Sequence, residues 1–210
     1  MSPLSLTLSS GPTEPPELLE RARRGDPGAF CELCVTLEGP LLRQALALGC
    51  DAGQAEDLAQ ESLVIAWRTI NRFHGRCRLF TWVCGILLNL HRNAVRKHRP
   101  RPLSDLSTDA RAAADWLLDN AAAPSLAPDE ALDIAERAAL LRRCLDRLPE
   151  KQRHVVHLRF FVDDSLEGIA EALECPVGTV KSRLFSALEQ LTEMPELRPF
   201  APNPSSRPPL

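Results

Sequence analysis

The helical spacing of apolar residues between Ala55 and Ile70 constrains the fold of this chain most. Asp51 is placed to cap the N-terminus of this helix. A composition without tyrosine that is rich in Leu and Ala also favours helices, so we expect an all-α protein. The apolar residues recur every three or four positions, on one helix face: Ala55, Leu58, Ala59, Leu63, Ala66, Trp67 and Ile70.

Prolines and acidic residues divide the chain into two helical modules. Residues 1–16 contain four prolines and residues 195–210 contain six, so we expect a disordered leader and a loose Pro-rich tail. Residues 99–137 are expected to form a flexible acidic linker, with a short helical patch at 110–118. This leaves a first module at 17–98 and a second module, containing a helix-turn-helix, at 138–194.

The charge is distributed unevenly along the chain. Residues 62–102 carry nine basic side chains and no acidic one, whereas the formal net charge of the whole chain is −3. A basic segment between acidic ones indicates a binding site for phosphates, although a solvated basic helix face is the plain alternative.

Three other features of the sequence concern membrane insertion, secretion and cellular location. We predict no membrane span, because the longest uncharged apolar stretch, 79–90, is shorter than the roughly 20 residues that a bilayer requires. The N-terminus does not resemble a signal peptide. Seven cysteines, an odd number, favour reduced thiols and a cytoplasmic location.

The remaining polar face of the 55–70 helix is unusual for a solvent face. It mixes carboxylates with branched apolar residues at Asp57, Gln60, Glu61, Val64 and Ile65. Such a surface suits docking on a basic partner, because apolar burial adds to charge selection. The alternative is that Val64 and Ile65 pack against the preceding helix.

The next segment combines aromatic rings, cations and amides. A turn centred on Gly75 lies among Phe73, His74, Phe80 and Trp82, and a helix then runs to about residue 98. Rings for base stacking beside cations for phosphates suit single-stranded nucleic acid, although most of these rings could be core. The polar face of this helix contains Asn89, Arg92, Asn93 and Arg96.

Residues 164–192 of the second module have the pattern of helix, tight turn, helix. The second helix presents short polar side chains and cations on its outer face, as a recognition helix in the major groove does. These residues are Thr179, Lys181, Ser182, Arg183 and Ser186.

Both modules resemble one known family in order and spacing. The segments AEDLAQESLVIAWRTINRF, FHGRCRLFTWVCGILLN and LDRLPEKQRHVVHLRFFVDDSLEGIAEALECPVGTVKSRL are similar to the two modules of bacterial extracytoplasmic-function (ECF) sigma factors. The resemblance implies a non-enzymatic subunit without cofactor or metal that binds core RNA polymerase at its clamp helices and flap. It also implies promoter DNA as a partner, single-stranded at the −10 element and duplex at the −35 element, and an anti-sigma factor.

The resemblance assigns three groups of residues. The polymerase-binding group is Asp57, Gln60, Glu61 and Val64. The −10 group is Asn71, Arg72, Phe73, His74, Arg76, Asn89, Arg92, Asn93 and Arg96. The −35 group is Thr179, Lys181, Ser182, Arg183 and Ser186.

The chain departs from the family pattern at several positions. The family often has basic residues where this chain has Gly85 and Leu88. Glu174 replaces the glycine usual in the helix-turn-helix turn, where a left-handed residue is expected. The recognition helix is also poor in cations, which indicates that DNA binding depends on polymerase.

Two other classes of protein remain as alternatives. A stand-alone helix-turn-helix regulator would bind duplex DNA without polymerase, but the acidic total argues against it. A zinc-binding redox sensor would use Cys31 and Cys34 with His74 and Cys77, although a lone CxxC is a weak signal. No arrangement of nucleophile and base indicates an enzyme.

Overall fold

The computed structural model describes residues 14–97 and 128–200, and every regular element within these ranges is helical. The predicted all-α fold is therefore confirmed. No helix in these two ranges combines the length and the apolar character needed to cross a membrane. The leader up to residue 13, the predicted patch at 110–118 and the tail from residue 201 lie outside the described residues.

The first module contains four α-helices. They are α1 (Pro16–Arg23), α2 (Pro27–Ala47), α3 (Ala52–Thr69) and α4 (Leu79–Lys97), with a 3-10 turn at Ile70–Arg72 before α4.

Side-chain caps determine where two of these helices begin. The Asp26 carboxylate accepts hydrogen bonds from the backbone N–H groups of Gly28 and Ala29, at 2.9 and 3.2 Å. Asp51 caps α3 as predicted, accepting from the N–H of Gln54 at 2.8 Å. These bonds satisfy donors that the first helical turn leaves without partners.

The apolar stripe of α3 is buried as its spacing predicts. Ala55, Leu58, Ala59, Leu63 and Ala66 are all at most 8% exposed. The stripe packs on α2 and α4, and the Trp67 ring lies 5.0 Å from the ring of Phe30 on α2.

The second module also contains four α-helices. They are α5 (Pro128–Asp146), α6 (Glu150–Phe160), α7 (Leu166–Ala172) and α8 (Val177–Glu193). Ser165 caps α7 by accepting from the N–H of Gly168 at 3.0 Å. Glu174 in the turn between α7 and α8 has φ +48°, which is the left-handed conformation expected there.

Two predicted boundaries of the second module differ from the observed helices. Helix α5 begins at Pro128, inside the predicted linker, because Pro128 is favourable in a first helical turn and the residues that follow suit a helix. The predicted loose tail begins with a 3-10 helix at Pro195–Phe200. Leu197 packs there against the apolar cluster around Cys144 and Leu148, and Glu196 pairs with Arg147 at 2.8 Å.

The two modules pack directly against each other. One continuous buried cluster includes Leu87 and Leu88 of α4 together with Val162, Ile169 and Ala172 of the second module. Helix α4 contacts both α6 and α7, so it lies between the core of its own module and the helix-turn-helix.

Candidate functional site

The predicted polymerase-binding residues share the solvent face of α3. Asp57, Gln60 and Glu61 are exposed, and Val64 is 48% exposed. Ile65 is half-buried. Val64 is therefore not buried against α2. The opposite face of the helix is buried, so these four side chains are presented on a rigid support.

The loop before α4 exposes four of its five predicted DNA-binding side chains. Asn71, Arg72, His74 and Arg76 are exposed, and Gly75 provides the positive φ of +72° that the tight turn requires.

Phe73 is the fifth predicted loop residue, and its ring is not available for stacking on a base. It is 1% exposed and its ring centroid lies 5.4 Å from that of Trp82. The two rings pack together in the core beneath the loop, so the Phe73 ring holds the loop in place. Among the predicted loop residues, His74 provides the exposed ring.

Helix α4 carries the other predicted −10 residues. Asn89 and Asn93 are exposed, and Arg96 lies in the last turn of the helix. Arg92 is only 34% exposed, and its Nε lies 3.6 Å from Oε1 of Glu150 in the second module.

The predicted −35 residues lie on the N-terminal half of α8. Lys181 and Ser182 are exposed, whereas Thr179, Arg183 and Ser186 are half-buried. Ser182 donates a hydrogen bond to the carbonyl oxygen of Thr179 at 3.1 Å. Arg183 Nη1 lies 3.7 Å from Sγ of Cys175 in the preceding turn.

The residues that join the two modules were not predicted from the sequence. Arg78 donates from Nη2 to the carbonyl oxygens of Val162 and Asp163, both at 2.7 Å, and the Thr81 hydroxyl donates to the Asp164 carboxylate. Arg78 stood out only as one cation of the basic segment. No periodicity or spacing connects it with residues more than eighty positions away.

Cys34 and Cys77, two of the thiols considered for a zinc-binding redox site, are partly buried. Among residues 14–97 and 128–200, no group of three or more His, Cys, Asp or Glu side chains could hold a metal ion. Burial raises the pKa of Cys34 to about 11 and, with the Asp164 and Glu171 charges, raises the pKa of Cys77 to about 12. Such thiols stay protonated at neutral pH, whereas redox sensing requires the thiolate.

The comparisons with known proteins match the two modules in order. The family described as Sigma-70 region 2 matches residues 35–101, and the family described as Sigma-70, region 4 matches residues 138–191. The RNA polymerase sigma-H factor of Pseudomonas aeruginosa is 35% identical over 176 residues, covering 83% of this chain and 90% of that protein. The ECF RNA polymerase sigma-E factor of Escherichia coli K12 is 31% identical over 175 residues, with the same coverage. The chain belongs to the ECF RNA polymerase sigma factors.

This sigma factor binds RNA polymerase and directs promoter-specific transcription initiation. Matches to both region 2 and region 4 do not favour the alternative of a stand-alone regulator.

Solved structures share the fold of this sigma factor. The structure titled CnrH in complex with the cytosolic domain of CnrY has a TM-score of 0.56 at 22% identity and covers 84% of this chain and 93% of that chain. The sigma factor RpoE of Bartonella quintana, in complex with the anti-sigma factor NepR, has a TM-score of 0.52 at 25% identity. It covers 80% of this chain and 96% of that one.

Proposed function

We propose that this sigma factor binds core polymerase, the −10 element and the −35 element with three separate surfaces. The acidic face of α3 binds the clamp helices of core polymerase, the 71–77 loop with α4 binds the opened −10 strand, and α8 reads the −35 duplex. The observation that carries the first assignment is the joint exposure of Asp57, Gln60, Glu61 and Val64 opposite the buried stripe of α3. Carboxylates around an exposed apolar side chain select a basic partner and gain from its burial.

The exposed groups of the loop suit a base extruded from the duplex. Asn71 offers an amide for a base edge, His74 offers a ring face, and Arg72 and Arg76 flank them with cations for phosphates. Asn89 and Asn93 extend this polar surface along α4. Opening a duplex costs a few kcal/mol for each unstacked base, which such contacts on the exposed strand offset.

The proposed −35 surface depends on short side chains and one arginine. Arg183 can make the paired hydrogen bonds that identify a guanine in the major groove, while Lys181 binds a phosphate without reading sequence. Thr179, Ser182 and Ser186 complete the same helix face. The second module is also proposed to bind the polymerase flap.

The remaining proposals concern partners and location. We infer that the chain contributes no catalytic chemistry of its own and acts in the cytoplasm with polymerase. An anti-sigma factor is a proposed partner, because the Bartonella quintana structure similar to this chain contains one.

Charge reversal on α3 tests the polymerase assignment. In the full-length protein, Asp57→Lys with Glu61→Lys should weaken binding to core polymerase about tenfold or more, which is about 1.4 kcal/mol. The helix content should not change, because both side chains are exposed. The matched control is Glu17→Lys with Glu20→Lys, which makes the same charge change at exposed positions of α1.

Binding is measured by fluorescence anisotropy at fixed ionic strength, with circular dichroism to compare helix content. Native affinity in the α3 double variant would remove this face from the polymerase interface. An equal loss in the α1 control would show a response to net charge and not to a docking site.

A further inference from the structure

The turn between α7 and α8 fixes the backbone of Cys175. The N–H of Cys175 donates to the carbonyl oxygen of Ala170 at 2.9 Å, and the N–H of Glu174 donates to that of Glu171 at 3.1 Å. These two bonds, with the left-handed conformation of Glu174, form the Schellman motif that ends a helix. On the other side, the ring of Pro176 restricts its own φ to −60°. The backbone at position 175 is therefore held from both directions.

The Cys175 side chain lies against the end of the Arg183 side chain. Its Sγ is 3.7 Å from Nη1 of Arg183, although the two residues are eight positions apart in the sequence. Both residues are half-buried, and Cys175 also packs against the apolar cluster that contains Ile169 and Val180. The sulfur is therefore a fixed neighbour for the guanidinium, whose long stem would otherwise have many rotamers.

A thiol suits this position because it is a weak hydrogen-bond acceptor. Within residues 14–97 and 128–200, the Cys175 sulfur is the side-chain partner of Arg183, and no carboxylate lies within ion-pair distance of this arginine. A carboxylate there would neutralise the cation and occupy its paired donors. The sulfur contacts one nitrogen of the guanidinium, and the remaining donors stay free for DNA.

The orientation of the guanidinium decides whether Arg183 can read a base. Recognition of guanine uses two parallel N–H donors, so the plane of the guanidinium has to match the edge of the base. A side chain that is already held near this orientation loses less conformational entropy when it binds DNA. Loss of the sulfur contact should therefore reduce discrimination between base pairs, whereas the charge that attracts phosphates stays.

We propose that Cys175 is a positioning residue for −35 recognition, whose sulfur holds the Arg183 guanidinium in the orientation that reads a base pair. Cys175 acts through Arg183 and makes no base contact of its own. This inference rests on the proposed reading role of Arg183 and names the residue that supports it.

The substitution Cys175→Ala tests the proposal in the full-length chain bound to core polymerase. Transcription from a promoter library with a randomised −35 element gives the base preference at each position, and Arg183→Ala identifies the position that Arg183 reads. At that position Cys175→Ala should reduce the preference about threefold to fivefold, as expected for the loss of one weak hydrogen bond. Preferences at the other positions should not change.

Two further single variants complete the comparison. Cys175→Ser keeps an acceptor on a shorter arm, so it should reduce the same preference by less than Cys175→Ala does. The matched control is Cys144→Ala, which removes a buried thiol of the same module that packs with Leu148 and Ala187. It should lower stability and leave every base preference unchanged. Far-UV circular dichroism compares the helix content of all variants.

A double variant separates positioning from a general structural role. Because the sulfur acts through the guanidinium, Cys175→Ala should change no base preference further when Arg183→Ala is already present. A residue that only stabilised the turn would instead weaken transcription from all promoters alike, with or without Arg183.

The outcomes distinguish the two proposals. An unchanged preference in both Cys175→Ala and Cys175→Ser, at a position where Arg183→Ala changes it, would overturn the positioning role. The same reduction by Cys175→Ala with and without Arg183 would overturn it as well. Failure of the proposed −35 function would differ, because Arg183→Ala itself would then leave the promoter ranking unchanged, and both proposals would fall.

Discussion

Two buried histidines make the stability of the second module sensitive to acid. His154 and His157 on α6 are each 5% exposed, and the His157 ring stacks on Phe161 at 5.1 Å. Burial, with the charge of Arg153 and then of His91 on α4, lowers the pKa of His154 to about 4; Arg92 and Arg183 contribute less. Burial lowers the pKa of His157 to about 3, with added effects of His154, His91 and Arg153.

The sign of the pH effect follows from these lowered pKa values. Below the ordinary pKa of about 6.5, the unfolded chain takes up a proton at each histidine and the folded chain does not. The free energy of unfolding therefore decreases as the pH falls from about 6.5 towards 4. A pH of 5 lies about 1.5 units below the ordinary histidine pKa of about 6.5. Each ring therefore lowers the free energy of unfolding at pH 5 by about 2 kcal/mol, at 1.36 kcal/mol per unit.

The substitution His157→Phe removes the contribution of His157 to this pH dependence and leaves that of His154. It removes the titrating group, keeps an aromatic ring against Phe161, and removes a buried Nε2 that has no hydrogen-bond partner among the described residues. Between pH 7.5 and pH 5 the variant should therefore lose about 2 kcal/mol less stability than the native chain. The control Val155→Ala should lower stability at both pH values equally, because it leaves both rings in place.

Urea unfolding followed by far-UV circular dichroism measures these free energies at each pH. Parallel pH profiles for the native chain and His157→Phe would refute the reasoning, because they would mean that His157 takes up its proton equally in both states.

Two predictions concern the DNA surfaces. Arg183→Ala should cost about 1–3 kcal/mol of discrimination at one −35 base pair, whereas Lys181→Ala should weaken binding on all sequences alike. Selection from a promoter library with each variant holoenzyme measures both effects. An unchanged promoter ranking for Arg183→Ala would exclude a base contact. Replacing residues 71, 72, 74 and 76 with Gly or Ser, while keeping the buried Phe73, should abolish transcription from duplex promoters and spare most of it on pre-opened templates. Equal loss on both templates would show that the loop binds DNA without driving its opening.

The sequence predicted the helices whose signals are local. The stripe of α3 and its Asp51 cap lie within a few turns of each other, so periodicity and capping chemistry locate them directly. The left-handed residue at Glu174 was also predictable, because the turn of a helix-turn-helix requires it irrespective of residue type.

Predictions were weaker where tertiary packing decides the structure. The resemblance assigns Phe73 to the −10 group as a ring for base stacking, yet this ring packs on Trp82 beneath the loop. The 3-10 helix at 195–200 follows the same principle: prolines indicated a loose tail, but Leu197 and Glu196 find partners near α5. In each case the deciding contact is made with a residue that periodicity does not identify.

Helix α4 shows why the contact between the modules could not be predicted. A single helical stripe identifies one buried face, which here includes Val83 and Leu87. The structure shows a second buried face at Thr81, Gly85 and Leu88, beside the polar surface that includes Asn89. Thr81 and Gly85 on this face contact Asp164 and Ala172 of the other module. A helix with three such surfaces has few positions facing solvent, so the absence of basic residues at 85 and 88 has a structural reason. A cation at position 85 would have to be buried against α7, and one at position 88 in the apolar core. Burying an unpaired charge costs more than a phosphate contact at that position would return.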